Sequence, residues 1–416
     1  MGMIDSCAFE AKTLLTVQEA VARIVSQVEP VQETESIALS QALGRILAVT
    51  VSSPINLPGH NNAAMDGYAF SSADIKSHAG FVLQCVGVSW AGKPFQGMLK
   101  EGECIRIFTG AVMPAQADSV IMQEHVRVQG EAVHFPDNIK PCQNVRMAGE
   151  DVRQGNPVCF AGKLLTAMDL GLLAAVGIAQ VEVLRPLRIT FFSTGDELVP
   201  VGSELATGQI YDSNRYLLRG LLENPAYAVT DGGIIADDRV LLETALLEAA
   251  LRSDLLVTTG GASVGDADYV SEILQRCGQV AFWKIAMKPG KPLAFGKIAG
   301  SCFLGLPGNP LAVAAVFRQF VKPALRRLSG LPIGQTLTLQ ATCTSRLKKS
   351  PGRQEYQCGI LSQDEAGGLY VASAGQQGSH LLGTLQKANC YIVLPSECQG
   401  VDEGGQVTVE PFSVHI

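Results

Sequence analysis

A chain of 416 residues exceeds the roughly 250–300 residues at which a single hydrophobic core stops growing, which predicts two to four domains. Hydrophobic residues make up 47% and charged residues 17%, with 43 glycines and 20 prolines, a balance that excludes a disordered polymer and marks many turns. The formal net charge of −7 gives no footprint for nucleic acid or for an anionic membrane surface, and it leaves small anions as ligands only where cations converge locally.

Met1 to Leu15 carries Asp5, Glu10 and Lys12 and lacks the basic start and unbroken apolar run of a signal peptide. No apolar stretch reaches about 18 residues, so no transmembrane helix and a cytoplasmic location are expected. The 11 cysteines run from Cys7 to Cys398 without a C-x-x-C pair. They fit neither a disulfide framework nor a zinc cluster and read as small buried hydrophobes.

Thr16-Val17-Gln18-Glu19 is a capping box, and Val17, Val21, Ile24, Val25 and Val28 follow at helical spacing, predicting an amphipathic helix. A second short helix is expected from Ser40 to Leu47. After Pro54, short apolar runs (Phe81 to Val88, Cys104 to Phe108, Ser119 to Met122) are separated by Gly and Pro, the pattern of small β structure. Within it, Ala64-Met65-Asp66-Gly67-Tyr68-Ala69 reads, taken alone, as an Asp-Gly turn. Met168 to Val176 is apolar at near-helical spacing again, so the first helical region is expected to be completed by a segment returning after the β insertion.

From Leu187, apolar runs alternate with amphipathic segments, predicting parallel strands joined by crossover helices. The expected strands are Leu187 to Ser193, Thr230 to Ile235, Asp254 to Thr259 and Cys302 to Leu306, with a helix carrying Leu241, Leu242, Ala245, Leu246, Ala249 and Ala250 on one face. A doubly wound α/β sheet binds ligands beyond the carboxyl ends of its strands, which directs attention to the loops after Ser193, Ile235, Thr259 and Leu306. From Leu331 onward, strands such as Thr336 to Thr342, Cys390 to Leu394 and Gln406 to Val409 indicate a small β domain.

Those loops hold the unusual residues. Gly260-Gly261, followed by Ser263 and Gly265 before a helix, exposes backbone N–H groups suited to phosphate, although a tight structural turn uses the same glycines. Glu197, Asp237, Asp238 and Asp268 lie on loops that the sheet would bring to one edge. As a set beside a phosphate loop they call for a divalent cation such as Mg²⁺, whereas singly each reads as a helix cap or first-turn acid. Lys284, Lys288 and Lys291 crowd into Trp283-Lys284-Ile285-Ala286-Met287-Lys288-Pro289-Gly290-Lys291-Pro292, where two prolines and a glycine prevent a regular helix, which suits either an oxyanion or a solvated turn. Arg346, Lys348, Lys349 and Arg353 form a second basic cluster with the same two readings.

Taken together, A-M-D-G-Y-A (Ala64 to Ala69), R-I-F-T-G-A (Arg106 to Ala111), V-R-M-A-G-E-D (Val145 to Asp151) and S-T-G-D-E-L (Ser193 to Leu198) resemble the pattern of the MoeA family, which the E domain of gephyrin shares. So do Y-D-S-N (Tyr211 to Asn214), the G-G-A-S-V-G-D-A-D-Y run ending at Tyr269, K-P-G-K-P (Lys288 to Pro292) and L-P-G-N-P (Leu306 to Pro310). All eight occur in family order over nearly the whole chain.

The resemblance implies a multidomain α/β plus β protein: a discontinuous helical linker domain (14–50 and 148–183), a β insertion (51–147), a molybdopterin-binding α/β domain (184–330) and a C-terminal β barrel (331–416). It implies an enzyme that inserts molybdate into adenylylated molybdopterin with release of AMP, using Mg²⁺. It also implies a homodimer whose active site lies between the α/β domain of one subunit and the β insertion of the other.

Asp66 and Thr109 would serve the insertion's side of that cleft, and Glu197, Asp237 and Asp268 the metal and substrate. Gly260, Gly261, Ser263 and Gly265 would hold phosphate. Lys284, Lys288 and Lys291, helped by Arg353 and Ser379, would hold molybdate or phosphate, and Pro307 and Pro310 would shape their loop. Transient contacts with the molybdopterin adenylyltransferase and with cofactor-accepting enzymes follow from the same role. The chain departs from the family at Ala312, where Ser is frequent, at Cys358, where Arg is frequent, and at Gly383-Thr384, where a Ser pair is frequent; each departure thins the expected anion shell. Two alternatives are a non-catalytic molybdopterin-binding scaffold and the adenylyltransferase. The retained acids argue against the first, and the insertion and barrel argue against the second.

Overall fold

The computed structural model describes residues 14–75, 80–260, 276 and 278–412. The chain divides into two compact units, one made of Ser36–Leu43 with Leu47–Val183 and the other of the remainder.

In the first unit a six-stranded sheet runs in the order Ser119–Met122, Gly67–Phe70, Glu103–Ile107, Phe81–Ser89, Ala132–Phe135, Arg127–Gln129. Alternation along these strands feeds two cores. Ala69, Ile105, Ile107 and Val120 enter one, while Tyr68, Phe70, Cys104, Ile121 and Val133 enter the other. Gly67 is not a turn glycine. It opens a strand paired with Met122 and Ile107, and a Cβ there would overlap the Ile121 carbonyl oxygen; close strand approach, not a left-handed turn, explains the Asp-Gly pair. The helix Ala167–Ala175 starts at a Thr166/Asp169 capping box and buries Leu173 against Leu47, Leu165 and Val183. The helix expected over Ser40 to Leu47 is absent. A single 3₁₀ turn, Leu39–Gln41, stands in its place, because Gly44 adopts φ +72° and Leu47 bridges to Val183.

The second unit is built on a sheet ordered Tyr227–Ile235, Leu187–Thr194, Leu255–Thr259, Ser301–Leu306, Pro292–Ile298, Gly278–Lys284. Its first four strands are parallel and its last two antiparallel. Both faces are covered. Ile189, Phe191, Val257 and Leu304 share a core with Ile24, Leu218, Val313 and Phe320, and Phe192, Leu256 and Phe303 share one with Leu242, Leu246 and Ala249. The first helix, Val17–Gln27, has the expected Thr16/Glu19 capping box.

At the amino end of the sheet, Asp254 accepts from both terminal nitrogens of Arg185 (2.7 and 2.9 Å) and from the backbone and side chain of Arg188 (2.8 and 3.0 Å). Burial pushes its carboxyl up, but these donors prevail and hold it at about 2.

Five further strands close into a barrel: Gln354–Gln363 pairs with Leu369–Ser373 and with Cys390–Leu394, and Leu339–Cys343 and Gln406–Pro411 complete the ring. The short strand Met287–Lys288 pairs in parallel with Gln354 and Glu355, which joins the K-P-G-K-P segment to the barrel. No helix among the described residues is long and apolar enough to cross a membrane.

Candidate functional site

The loop after the strand Leu187–Thr194 begins with Gly195 at φ +146°, where a Cβ would meet the Glu197 carboxylate at 2.5–2.8 Å. Glycine here lets the chain turn back so that Glu197 lies over its own backbone. Its carbonyl accepts from Ile210 N–H (2.8 Å). The neighbouring strand Tyr227–Ile235 delivers Asp237 to the same edge, where its N–H donates to Asp196 Oδ1 (2.9 Å). Burial raises the Asp237 carboxyl above the usual range, and the negative charges of Asp196 and then Glu197 add to the rise. Three carboxylates thus crowd one exposed corner. Asp238 does something else: its side chain accepts from Leu241 N–H (2.9 Å) and caps the helix Arg239–Ala250, the simpler of the two readings open to it.

The end of Leu255–Thr259 adjoins this corner. Thr194 Oγ1 donates to the Thr259 carbonyl (3.2 Å), and Gly260, at φ +87°, sits so close to Thr194 that a Cβ would overlap its carbonyl. Only glycine fits there. Across the edge, Gly308 approaches within 4.0 Å of the Gly260 backbone as measured from where a Cβ would stand, so Gly260 and L-P-G-N-P are neighbours. Pro307 is buried and Pro310 occupies the first turn of the helix Pro310–Val316, where its missing N–H costs nothing. Leu311 N–H donates to the Ser379 carbonyl (3.0 Å), which places Ser379 at this helix start. Gly261, Ser263, Gly265 and Asp268 lie outside the described residues. Among the described residues no group of three or more His, Cys, Asp or Glu side chains is arranged to hold a metal ion.

Two residues of Y-D-S-N, quoted as part of the motif but given no role by sequence reasoning, belong to this edge. Asn214 Nδ2 donates to the Gly308 carbonyl (2.6 Å), and Asp212 caps the helix Ser213–Leu221 through Arg215 N–H. Both are buried, and Asp212 Oδ2 and Asn214 Oδ1 have no hydrogen-bond partner. An acid directly before a helix was the signal for the cap; the bond to Gly308 spans 94 residues and left no local trace.

Lys284, Lys288 and Lys291 are all exposed. The segment between them is folded tightly: Ile285 N–H bonds the Lys291 carbonyl (2.7 Å), and Gly290, at φ +99°, faces the Val316 side chain. Lys288 Nζ lies 3.3 Å from Glu355 Oε1, a carboxylate only 4% exposed, so this lysine already neutralises a buried acid. Gln354 N–H bonds the Ala286 carbonyl (2.9 Å), which brings Arg353 beside the lysine segment. Arg346 pairs with Asp402, and Lys349 donates to the carbonyls of Ser350, Ser396 and Cys398. The departures are settled in the fold. Ala312 is 3% and Cys358 1% exposed, and burial pushes the Cys358 thiol up to about 11; Thr384 Oγ1 donates to the Gln376 carbonyl (3.0 Å).

In the first unit, Asp66 and Thr109 are brought together. Asp66 Oδ1 accepts from Thr109 N–H (2.8 Å) and Oγ1 (2.7 Å), and these bonds, with Arg106 nearby, lower its carboxyl below the usual range. The carboxylate is therefore fixed and ionised before any ligand arrives.

The chain matches three family models in order: the MoeA N-terminal region (domain I and II) over residues 15–177, a probable molybdopterin binding domain over 191–327 and the MoeA C-terminal region (domain IV) over 340–412. It is 42% identical to the molybdopterin molybdenumtransferase of Haemophilus influenzae, over 96% of this chain and 99% of that one. Identity to the molybdopterin molybdenumtransferase of Nostoc sp. is 35%, over 93% and 90%, and to Dictyostelium discoideum gephyrin 31%, over 94% of this chain and 61% of that one. The crystal structure of the molybdopterin biosynthesis MoeA protein of Pyrococcus horikoshii superposes with a TM-score of 0.84 at 26% identity, over 96% of this chain and all of the other.

Proposed function

Since the chain belongs to the MoeA family, we propose that it acts as a molybdopterin molybdenumtransferase, inserting molybdenum in cofactor biosynthesis, and that its substrates are adenylylated molybdopterin and molybdate, with AMP released. The observation that supports the reading most directly is the meeting of Glu197 and Asp237 at the carboxyl edge of the parallel sheet, beside Gly260 and L-P-G-N-P. A corner where burial, and then the charges of Asp196 and Glu197, raise the proton affinity of Asp237 is equally a site for a hard cation.

Mg²⁺ is characteristically held by one or two carboxylates together with substrate phosphate oxygens, so Glu197 and Asp237 are a sufficient protein share, with Asp268 as a further donor. When bound it would neutralise the diphosphate of the adenylylated substrate. Gly260 lets the end of Leu255–Thr259 lie directly against Thr194, which holds the start of the glycine run at the sheet edge where a phosphate would bind. Lys284 and Lys291, with Lys288 and Arg353 beside them, hold the molybdate dianion against the dithiolene sulfurs, so that orientation rather than new covalent chemistry on the protein lowers the barrier. Asp66, pinned by Thr109, belongs to the same chemistry across a homodimer, each active site drawing its insertion from the partner subunit. Neither nucleic acid nor membrane is a partner in this reading; the adenylyltransferase and the cofactor-accepting enzymes are.

Purified protein mixed with adenylylated molybdopterin, molybdate and Mg²⁺ should release AMP in step with cofactor able to reconstitute an apo-molybdoenzyme. Binding of the substrate without AMP release or reconstitution would leave the scaffold reading in its place.

A further inference from the structure

Trp90 stands half-exposed, at 49%, on a part of the first unit that is unusually well fixed. Its N–H and carbonyl both bond Lys93 (3.0 Å each) across a tight hairpin whose Gly92 adopts φ +75°. The preceding Ser89 is fully buried; its hydroxyl donates to the Val112 carbonyl (3.1 Å) and accepts from Phe95 N–H (3.3 Å), and its carbonyl accepts from Phe108 N–H (3.3 Å). The Trp90 and Phe108 rings lie parallel, 4.0 Å apart at 9°. The Arg106 guanidinium lies 5.1 Å from the Phe108 centroid and 5.1 Å from that of Tyr68, and it bonds the Gln123 side chain. Phe108 is followed directly by Thr109, which holds Asp66.

A single exposed aromatic needs no explanation. An aromatic locked by its own hairpin, and stacked on a second ring that a guanidinium also touches and that directly precedes the Thr109 holding Asp66, is a different object. Its orientation is already set, so a flat ligand laid on it meets little further ordering. The Arg106 guanidinium against the Phe108 ring favours an electron-rich ring in the stack.

We propose that the Trp90–Phe108 stack is a platform for a planar nitrogen heterocycle of the substrate. The inference rests on the metal-insertion reading only for the identity of that ring, since adenylylated molybdopterin carries two, the adenine and the pterin. Stacking on an aromatic side chain is worth about 5- to 150-fold in affinity when measured by alanine substitution.

The test uses the full-length protein with AMP and, separately, an oxidised pterin monophosphate as probes. The chain has two tryptophans, so Trp283→Phe leaves Trp90 as the sole reporter. Saturable quenching of its emission by either probe, with affinity by calorimetry falling at least fivefold in Trp90→Ala and largely kept in Trp90→Phe, supports the platform; AMP as the effective probe places adenine there, and the pterin places the pterin. In turnover, Trp90→Ala should raise KM for the adenylylated substrate with kcat little changed. Trp90→Ala protein that inserts molybdenum with unchanged KM, and whose parent shows no quenching by either probe, overturns it. So does a Trp90→Ala protein that binds both probes normally but sediments as a smaller species, because the stack is then a contact between copies of the chain. Wild-type protein that quenches with a probe yet inserts no metal would sink the metal-insertion reading and leave the platform standing.

Discussion

Lys288 and Lys291 sit three residues apart in K-P-G-K-P, yet they carry different duties. Lys288 compensates the buried Glu355, whose second oxygen is bonded by Gln357 (3.0 Å). Removing Lys288 with Met strands part of that charge; allowing for the solvent that screens its half-exposed side chain, the loss is about 1–2 kcal/mol, read as a lower denaturation midpoint. Lys291→Met should leave the midpoint unchanged and raise the molybdate concentration for half-maximal insertion more than tenfold, since a charge-assisted bond is worth about 1.5–3 kcal/mol. Equal loss of stability in both variants would refute the division of labour. Asp237 makes a pH prediction. Its carboxyl is raised by burial, then by Asp196 and Glu197, so protons compete with a cation there at a higher pH than at an ordinary aspartate. Insertion at limiting Mg²⁺ should therefore fall as pH drops through that raised value, and Asp196→Asn should move the acid limb to lower pH by removing one of the repelling charges. An acid limb in the same place for both proteins would remove Asp237 from cation binding.

Among the elements, the amino end of the second unit's sheet depends on Asp254. Its carboxyl is depressed to about 2 from 3.8, so its stabilising contribution is complete above about 3.8 and is lost as pH falls through about 2. Asp254→Asn should cost about 2 kcal/mol at neutral pH, with the gap to wild type closing in acid; a constant gap across that range would mean that packing, not charge, is responsible. The parallel strands were legible because each is an apolar run bounded by turns, and Leu187–Thr194, Leu255–Thr259 and Ser301–Leu306 match their expected spans to within one residue at each end. The antiparallel pair at the sheet's edge was not. Its connection holds Pro289, Gly290 and Pro292, which read as loop, whereas Pro292 opens its strand at the position where a proline does least harm. Gln354–Gln363 hid for a different reason. Glu355 and Gln357 are polar yet buried, satisfied by Lys288 and by the Lys348 carbonyl, so a strand buried on both faces carries polar residues where an apolar run would be expected. At the site, the gathering of these loops at one sheet edge was readable from the fold class, but the difference between Asp237 and Asp238 was not, because either one could have capped the helix.

At the scale of the whole molecule, the proposal of a composite active site makes a quantitative demand. Asp66 lies in the first unit and Asp237 in the second, and in the proposed homodimer each site would draw one unit from each chain. An Asp66→Asn homodimer and an Asp237→Asn homodimer should both be nearly inactive while remaining folded, because each exchange removes a charge and keeps the shape. Unfolded together and refolded in equal amounts, half of the dimers become mixed. In a mixed dimer one site carries both defects and the other carries neither, so about a quarter of wild-type activity should return. If each active site were instead completed within a single chain, every site in the mixed dimer would keep one defect and activity would stay at the level of the parents. Size-exclusion profiles identical to wild type, with mixed dimers isolated through two different affinity tags, separate that outcome from a failure to exchange subunits. Recovery near a quarter supports sites shared between chains; no recovery in verified mixed dimers returns the whole active site to one chain.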